Sequence, residues 1–155
     1  MVTGTNGKST TCKLIQHILR TNKMNAQLGG NIGKPVMDLK IKKNSIVIIE
    51  ASSFQLAHAK FVKPTFAMIL NITKDHLDWH GTVKNYQKSK FNIFRQQEKQ
   101  DKALLCKKEH IKKFKKKFFR SKLIKLHAGI LEKSFKKNII FSFFFFEKNS
   151  PKDFN

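Results

Sequence analysis

The feature that most limits the folds open to this chain is VTGTNGKST at residues 2–10. An apolar stub runs into a glycine turn that ends in Lys-Ser-Thr. Such a turn works where it joins a buried strand to the first turn of a helix, whose N-terminus adds partial positive charge to the backbone N–H groups. Gly4 and Gly7 let the backbone come close to a phosphate. Lys8 offers a cation to the β and γ phosphates, and the hydroxyl of Ser9 or Thr10 can reach Mg2+. The spacing is a short G-x-x-G-K-S, because Val2 stands where the longer loop has its first glycine. The plainer alternative is a glycine turn that starts a helix beside an incidental lysine. The order strand, turn, helix favours nucleotide binding.

The rest of the chain alternates between the two periods. Cys12, Leu14, Ile15, Ile18 and Leu19 form a helical stripe between Ser9 and about Met24. LGGNIGKPV at 28–36 reads as a glycine-rich loop, and SIVIIE at 45–50 as a strand buried on both faces. SSFQLAHAKF at 52–61 predicts a short helix capped by serine, and TFAMILNIT at 65–73 a second buried strand after Pro64. KDHLDWHGT is expected to be a polar loop, 83–99 a helix with Tyr86, Phe91 and Phe94 inward, and KALLC at 102–106 a third strand. Strands alternating with helices predict an α/β fold with a doubly wound, mostly parallel sheet. Polar residues gather at strand ends, at Glu50 and from Asn71 to His76, where ligands collect in such sheets.

Beyond residue 106 this clarity is lost. The chain carries +22 overall, with 17 Lys and Arg against 6 acids in residues 1–106 and 15 against 4 in residues 107–155. Ten of the fifteen Phe lie in that second stretch. FSFFFF could be a strand, yet no alternation or turn chemistry places it, so 107–155 stays unassigned. A nucleic-acid surface is weighed there and ranked below composition bias, since Lys, Phe, Ile and Asn share A/T-rich codons. No run of about 18 uncharged apolar residues predicts a membrane span. The first eight residues, with Gly, Asn and Lys among them, do not read as a signal peptide. Cys12 and Cys106, isolated in sequence, fit a reducing cytoplasm.

Glu50 closes an apolar strand, and a carboxylate buried there must be paired, protonated or bound to metal. Metal binding calls for a second ligand at a neighbouring strand end, where His76 stands. Mg2+ prefers oxygen, so a histidine ligand needs oxygen ligands beside it.

GTNGKST, GGNIGKP, EASSFQL, NITKDHLDWHGT and YQKSKFNIF occur in the order and approximate spacing of the central domain of Mur ligases, which residues 2–106 resemble. The pairing of GGNIG with SSFQL resembles the D-glutamate-adding branch. The resemblance implies that Gly4, Thr5, Asn6, Gly7, Lys8, Ser9 and Thr10 bind ATP, with Ser9 and Glu50 holding one Mg2+. It implies a second Mg2+ on Glu50, His76 and Lys90, the lysine being carbamylated and so turned into an oxygen ligand. Without that change Lys90 reads as an ordinary solvent-facing helix lysine. Asn31 and His76 would lie near the substrate carboxylate. Lys8, Glu50, His76 and Lys90 are the catalytic candidates, whereas Ser52 and Ser53 are expected to cap and pack their helix.

The implied reaction is ATP-driven amide formation in peptidoglycan synthesis, in the cytoplasm. The carboxylate of UDP-N-acetylmuramoyl-L-alanine attacks the γ-phosphate, and D-glutamate then displaces phosphate from the acyl phosphate. Lys8 and two metals would offset the charge. Members of the family also carry flanking domains. The chain is therefore expected to be a piece of a ligase, an ATP-binding domain at 1–106 followed by the 107–155 tail. It is expected to bind nucleotide without ligating alone, any missing domains being left to another chain. The rival readings are another Mur-type or folylpolyglutamate ligase, a basic nucleic-acid-binding protein and a non-functional product.

Overall fold

The computed structural model describes residues 1–106, 110 and 119–125. The chain divides into two compact units, Met1–Lys125 and Leu126–Asn155, and every described residue belongs to the first. FSFFFF lies outside the described residues.

Among the described residues six strands form one sheet: β1 (Val2–Thr3), β2 (Ala26–Gly30), β3 (Ile46–Glu50), β4 (Phe66–Ile69), β5 (Lys102–Leu105) and β6 (Lys122–Lys125). Their order is β2-β3-β1-β4-β5-β6, and every pairing is parallel. The parallel α/β expectation therefore holds. The two residues of β1 sit at the centre, with Val2 opposite Glu50 on one side and Met68 on the other. That register brings the ends of β1, β3 and β4 to one edge of the sheet.

Helix α1 (Lys8–Thr21) lies against β1, β2 and β3 and buries Cys12 and Leu19. It stops short of the expected Met24. Lys23 takes a left-handed φ of 59°, and the Met24 N–H turns back to the Leu19 carbonyl at 3.0 Å, which satisfies a terminal carbonyl and ends the helix. Helix α2 (Ser53–His58) begins with a full capping box. Ser52 Oγ accepts from Gln55 N at 3.2 Å, while Ser52 N donates to Gln55 Oε1 at 2.9 Å. Helix α4 (Val83–Phe91) is capped by Thr82 and passes into a 3₁₀ turn at Asn92–Phe94. It is therefore shorter than the stretch to residue 99 expected from periodicity.

One core cluster joins α2 and α4 to the sheet through Leu56, Ala67, Ile69, Tyr86, Phe91, Ile93, Phe94, Ala103 and Leu105. Residues 67, 69, 103 and 105 share a face because side chains alternate along a strand. The apolar positions expected to point inward, Tyr86, Phe91 and Phe94, are all buried.

Three elements depart from the sequence expectation. The first three residues of the supposed glycine loop, Leu28–Gly30, belong to strand β2, paired with β3 as far as Gly30 opposite Glu50. Glycine is required there: Gly30 has φ 105°, and a Cβ on it would collide with the Glu50 carbonyl oxygen. The polar loop at 74–82 contains a one-turn helix α3 (Leu77–His80), too short for any periodic signal. Strand β6 lies inside the stretch that sequence reasoning left unassigned, and extends the sheet beyond β5. From the same stretch His110 is buried, and its Nε2 accepts from Ile72 N at 3.1 Å.

Candidate active site

The glycine turn leaves β1 at Thr3 and enters α1 at Lys8. Gly7 is the helix N-cap, left-handed at φ 83° and without a side-chain cap. The first N–H groups of α1, which have no partner inside the helix, therefore face outward from the turn. Lys8 Nζ donates to the Thr5 carbonyl at 2.8 Å, curling over its own loop. Thr10 is exposed, on the first turn of the helix.

Ser9 points toward the sheet. Its Oγ donates to Glu50 Oε2 at 2.7 Å, and the other oxygen, Oε1, accepts from Asn31 Nδ2 at 3.0 Å. Asn31 is fixed at its backbone too, donating to the Glu50 carbonyl at 2.9 Å. Glu50 is 1% exposed. Each oxygen of this buried carboxylate thus accepts a hydrogen bond from a neutral donor. Ser9, Glu50 and Asn31 come from the helix start, the end of β3 and the turn after β2, and they form one constellation.

Lys90 is placed differently from a solvent-facing lysine. It is 1% exposed, and its Nζ donates to the Gly4 carbonyl at 2.9 Å and lies 3.5 Å from Thr3 Oγ1. The ring of Tyr86, one helical turn earlier, is 4.7 Å from the Nζ. Burial, with Lys8 adding repulsion and Asp75 opposing it, lowers the Lys90 pKa from 10.5 to about 8. No carboxylate pairs with it among the described residues.

His76 precedes helix α3 as its N-cap residue. It is exposed and left-handed at φ 49°. Its N–H donates to Asp75 Oδ1 at 2.9 Å, and Nε2 lies 3.4 Å from Asp75 Oδ2. A left-handed histidine is a strained backbone, of the kind held at functional sites. Its ring is 6.2 Å from that of Tyr86, the ring that also faces Lys90. Tyr86 was legible in sequence only as a core residue. Its hydroxyl, 3.1 Å from Thr5 Oγ1, reaches the glycine turn. The spacing of four residues from Lys90 on one helix was the available signal.

Ser52 and Ser53 do cap and pack. Ser53 is buried, its Oγ 3.0 Å from His80 Nε2. His80 is itself buried beside Phe54 and Tyr86. Burial, reinforced by His76 and Lys90, lowers its pKa.

As a metal site the constellation offers hard oxygen donors, Ser9 Oγ and the Glu50 carboxylate, of the type Mg2+ prefers. The described residues contain no group of three or more His, Cys, Asp or Glu able to hold a metal. Any ion here would thus need oxygens from outside that set. No described helix is long and apolar enough to cross a membrane.

Comparison with known proteins gives a consistent result. The family model for the Mur ligase middle domain matches residues 2–150. UDP-N-acetylmuramoylalanine–D-glutamate ligase of Nitratidesulfovibrio vulgaris is 46% identical over 105 residues, 66% of this chain and 24% of that relative. The ligase of the same name from Natranaerobius thermophilus is 42% identical over 102 residues, 64% of this chain and 22% of that relative. The chain thus spans about a quarter of the length of these relatives. Among solved structures, the MurF ligase of Thermotoga maritima in complex with ADP superposes with a TM-score of 0.61 at 21% identity. That match covers 80% of this chain and 31% of the other. MurF of Acinetobacter baumannii gives 0.63 at 23% identity, covering 80% and 30%.

Proposed function

Because this chain belongs to the Mur ligase middle-domain family, we propose that its site is the ATP- and Mg2+-binding part of an acid–amino-acid ligase. The reaction is the addition of D-glutamate to UDP-N-acetylmuramoyl-L-alanine in peptidoglycan synthesis, the activity that the names of the curated relatives carry. The implied compartment is the cytoplasm, where ATP is available.

The observation that carries this reading is the double acceptance at Glu50, from Ser9 at 2.7 Å and Asn31 at 3.0 Å. One buried carboxylate joins the phosphate loop to the residue expected near the substrate carboxylate. A ligase that brings two anions together needs such a junction, where a cation can be shared. Ser9 and Glu50 would hold one Mg2+, which when bound offsets the charge on the phosphate oxygens. The uncapped start of α1 and Lys8 would receive the phosphates. Asn31 and His76 would orient the carboxylate that attacks the γ-phosphate to give the acyl phosphate.

Lys90 fits the carbamylation proposed for it. A pKa of about 8 leaves far more free amine at neutral pH than an exposed lysine has. The free amine adds CO2 through nitrogen and releases a proton, so the cation becomes an anionic oxygen ligand. Together with Glu50 and His76 it would hold the second Mg2+, its oxygens and those of Glu50 standing beside the His76 nitrogen.

The test is thermal unfolding of the chain titrated with Mg-ATP, beside Lys8→Ala. A ligand at about 100 times its Kd adds roughly 2.7 kcal/mol to a folded binder, so a clear rise in Tm is expected, lost in Lys8→Ala. No rise in the folded wild-type chain would overturn the reading.

A further inference from the structure

No role has yet been given to Asn71, the first residue after β4 and its following Leu70. A loop that offers N–H groups to a phosphate must have its other polar groups fixed elsewhere. Here the β1–β4 ladder continues past the strands: Leu70 N donates to the Thr3 carbonyl at 3.0 Å, and Thr5 N donates to the Asn71 carbonyl at 2.9 Å. At Asn6 the ladder is continued by a side chain. Asn6 N donates to Asn71 Oδ1 at 2.9 Å, and Asn71 Nδ2 donates to the Asn6 carbonyl at 3.0 Å. The carboxamide answers both backbone groups of Asn6, as a neighbouring strand would. A third tie lies beside it: Thr5 Oγ1 accepts from Thr73 N at 3.0 Å and meets the Tyr86 hydroxyl at 3.1 Å.

These bonds have two consequences. The Asn6 N–H is consumed by Asn71, so phosphate must be met by N–H groups from Gly7 onward. The segment from Asn71 to His76 is also joined to the phosphate loop. The Asn71 carboxamide thus joins the Thr5 bonds in tying the glycine turn to the segment that leads to His76.

We propose that Asn71 is a positioning residue for nucleotide phosphate, holding the 4–7 loop in its receiving shape and in register with the His76 segment. This rests on the nucleotide-binding reading above.

The test compares the wild-type chain with Asn71→Ala and Asn71→Asp. Three properties are followed: exchange of the Asn6 amide by NMR without ligand, Mg-ATP affinity by calorimetry, and Tm. Asn71→Ala should expose the Asn6 amide to exchange while the Met68 and Leu70 amides stay protected. Its Mg-ATP affinity should fall about tenfold, the worth of roughly one net hydrogen bond. Asn71→Asp can still accept from Asn6 N and should restore that amide's protection, which a merely structural residue would not do selectively. It also keeps the measurement available if the alanine variant fails to fold. An Asn6 amide that exchanges freely in the wild-type chain, or an Asn71→Ala variant with unchanged protection and affinity, overturns the proposal. A wild-type chain that binds no Mg-ATP overturns the parent reading and the nucleotide role of Asn71 together. In that case the Asn6 amide still decides whether Asn71 fixes the loop.

Discussion

Lys90 Nζ and the carbonyl oxygen of Gly4 are 2.9 Å apart across 86 positions of sequence. The amine of α4 thereby lies directly beneath the phosphate loop, in a buried setting that disfavours its charge.

The first prediction concerns that charge. The folded-state pKa of Lys90 is about 8 against an ordinary 10.5, so between these values the unfolded chain holds a proton that the folded chain lacks. Stability therefore rises as pH climbs from 8 toward 10.5, and is at its lowest, as far as Lys90 is concerned, below pH 8. From pH 7.5 to 9.5 the gain is ~2 kcal/mol. Urea unfolding in CO2-depleted buffer should show it in the wild-type chain relative to Lys90→Met. Parallel pH profiles of the two proteins would refute it.

Glu50→Gln keeps the shape of the side chain but turns one hydrogen-bond acceptor into a donor facing Ser9 or Asn31. One buried donor is left opposing another, at about 1–3 kcal/mol. The proposed metal ligand is removed as well. Calorimetry should find Mg-ATP binding weakened at least about tenfold, with the magnesium dependence of that binding lost. Retained affinity that still responds to Mg2+ would remove Glu50 from the metal site.

At α2, Ser52→Ala deletes the side-chain half of the capping box, the Oγ that accepts from Gln55 N, and leaves the Ser52 N–H to Gln55 Oε1. A lost N-cap costs about 0.5–2 kcal/mol. Thermal unfolding should register this, while binding of Mg-ATP to the folded protein stays unchanged. A large loss of binding with unchanged Tm would give Ser52 a role beyond capping.

His80 is buried and its pKa is lowered. The unfolded chain binds the proton more readily, so the contribution of neutral His80 is present above its ordinary pKa of about 6.5 and is lost as pH falls below it. Unfolding measured between pH 7.5 and 5.5 should steepen its loss in the wild-type chain relative to His80→Gln. Equal slopes would mean that the ring is charged or solvated in the fold.

How much of this was legible in the sequence depended on where the determining contacts lay. SIVIIE announced β3 because a strand covered on both faces of its sheet reads as an unbroken apolar run. The serine cap of α2 was visible because Ser52 directly precedes the helix it caps, while the answering bond from Gln55 came only with the structure. AQLGG did not read as a strand, since its glycines answer a close approach of Glu50 from another strand. The burial of Lys90 was hidden for the same reason. Nothing in YQKSK reveals that Gly4 and Thr3 will cover it, and only the resemblance singled the lysine out. The closeness of Glu50 and Ser9 was implied only by the resemblance, through a shared Mg2+, and the assignment of each carboxylate oxygen to a separate donor was not implied at all. Strand β6 escaped notice because KLIK is short and sits in a composition where lysine and apolar residues mix everywhere.

The two-residue strand at the centre of the sheet also bears on the order of folding. The phosphate loop is held by Glu50 across 41 positions, by Asn71 across 65 and by Lys90 across 86. None of these bonds forms from local sequence, so the loop gains its shape only after a long closure whose entropy must be met first. Assembly of the site is then expected late in folding, and a nucleotide bound as proposed would add its binding energy to contacts that tie distant parts of the chain together.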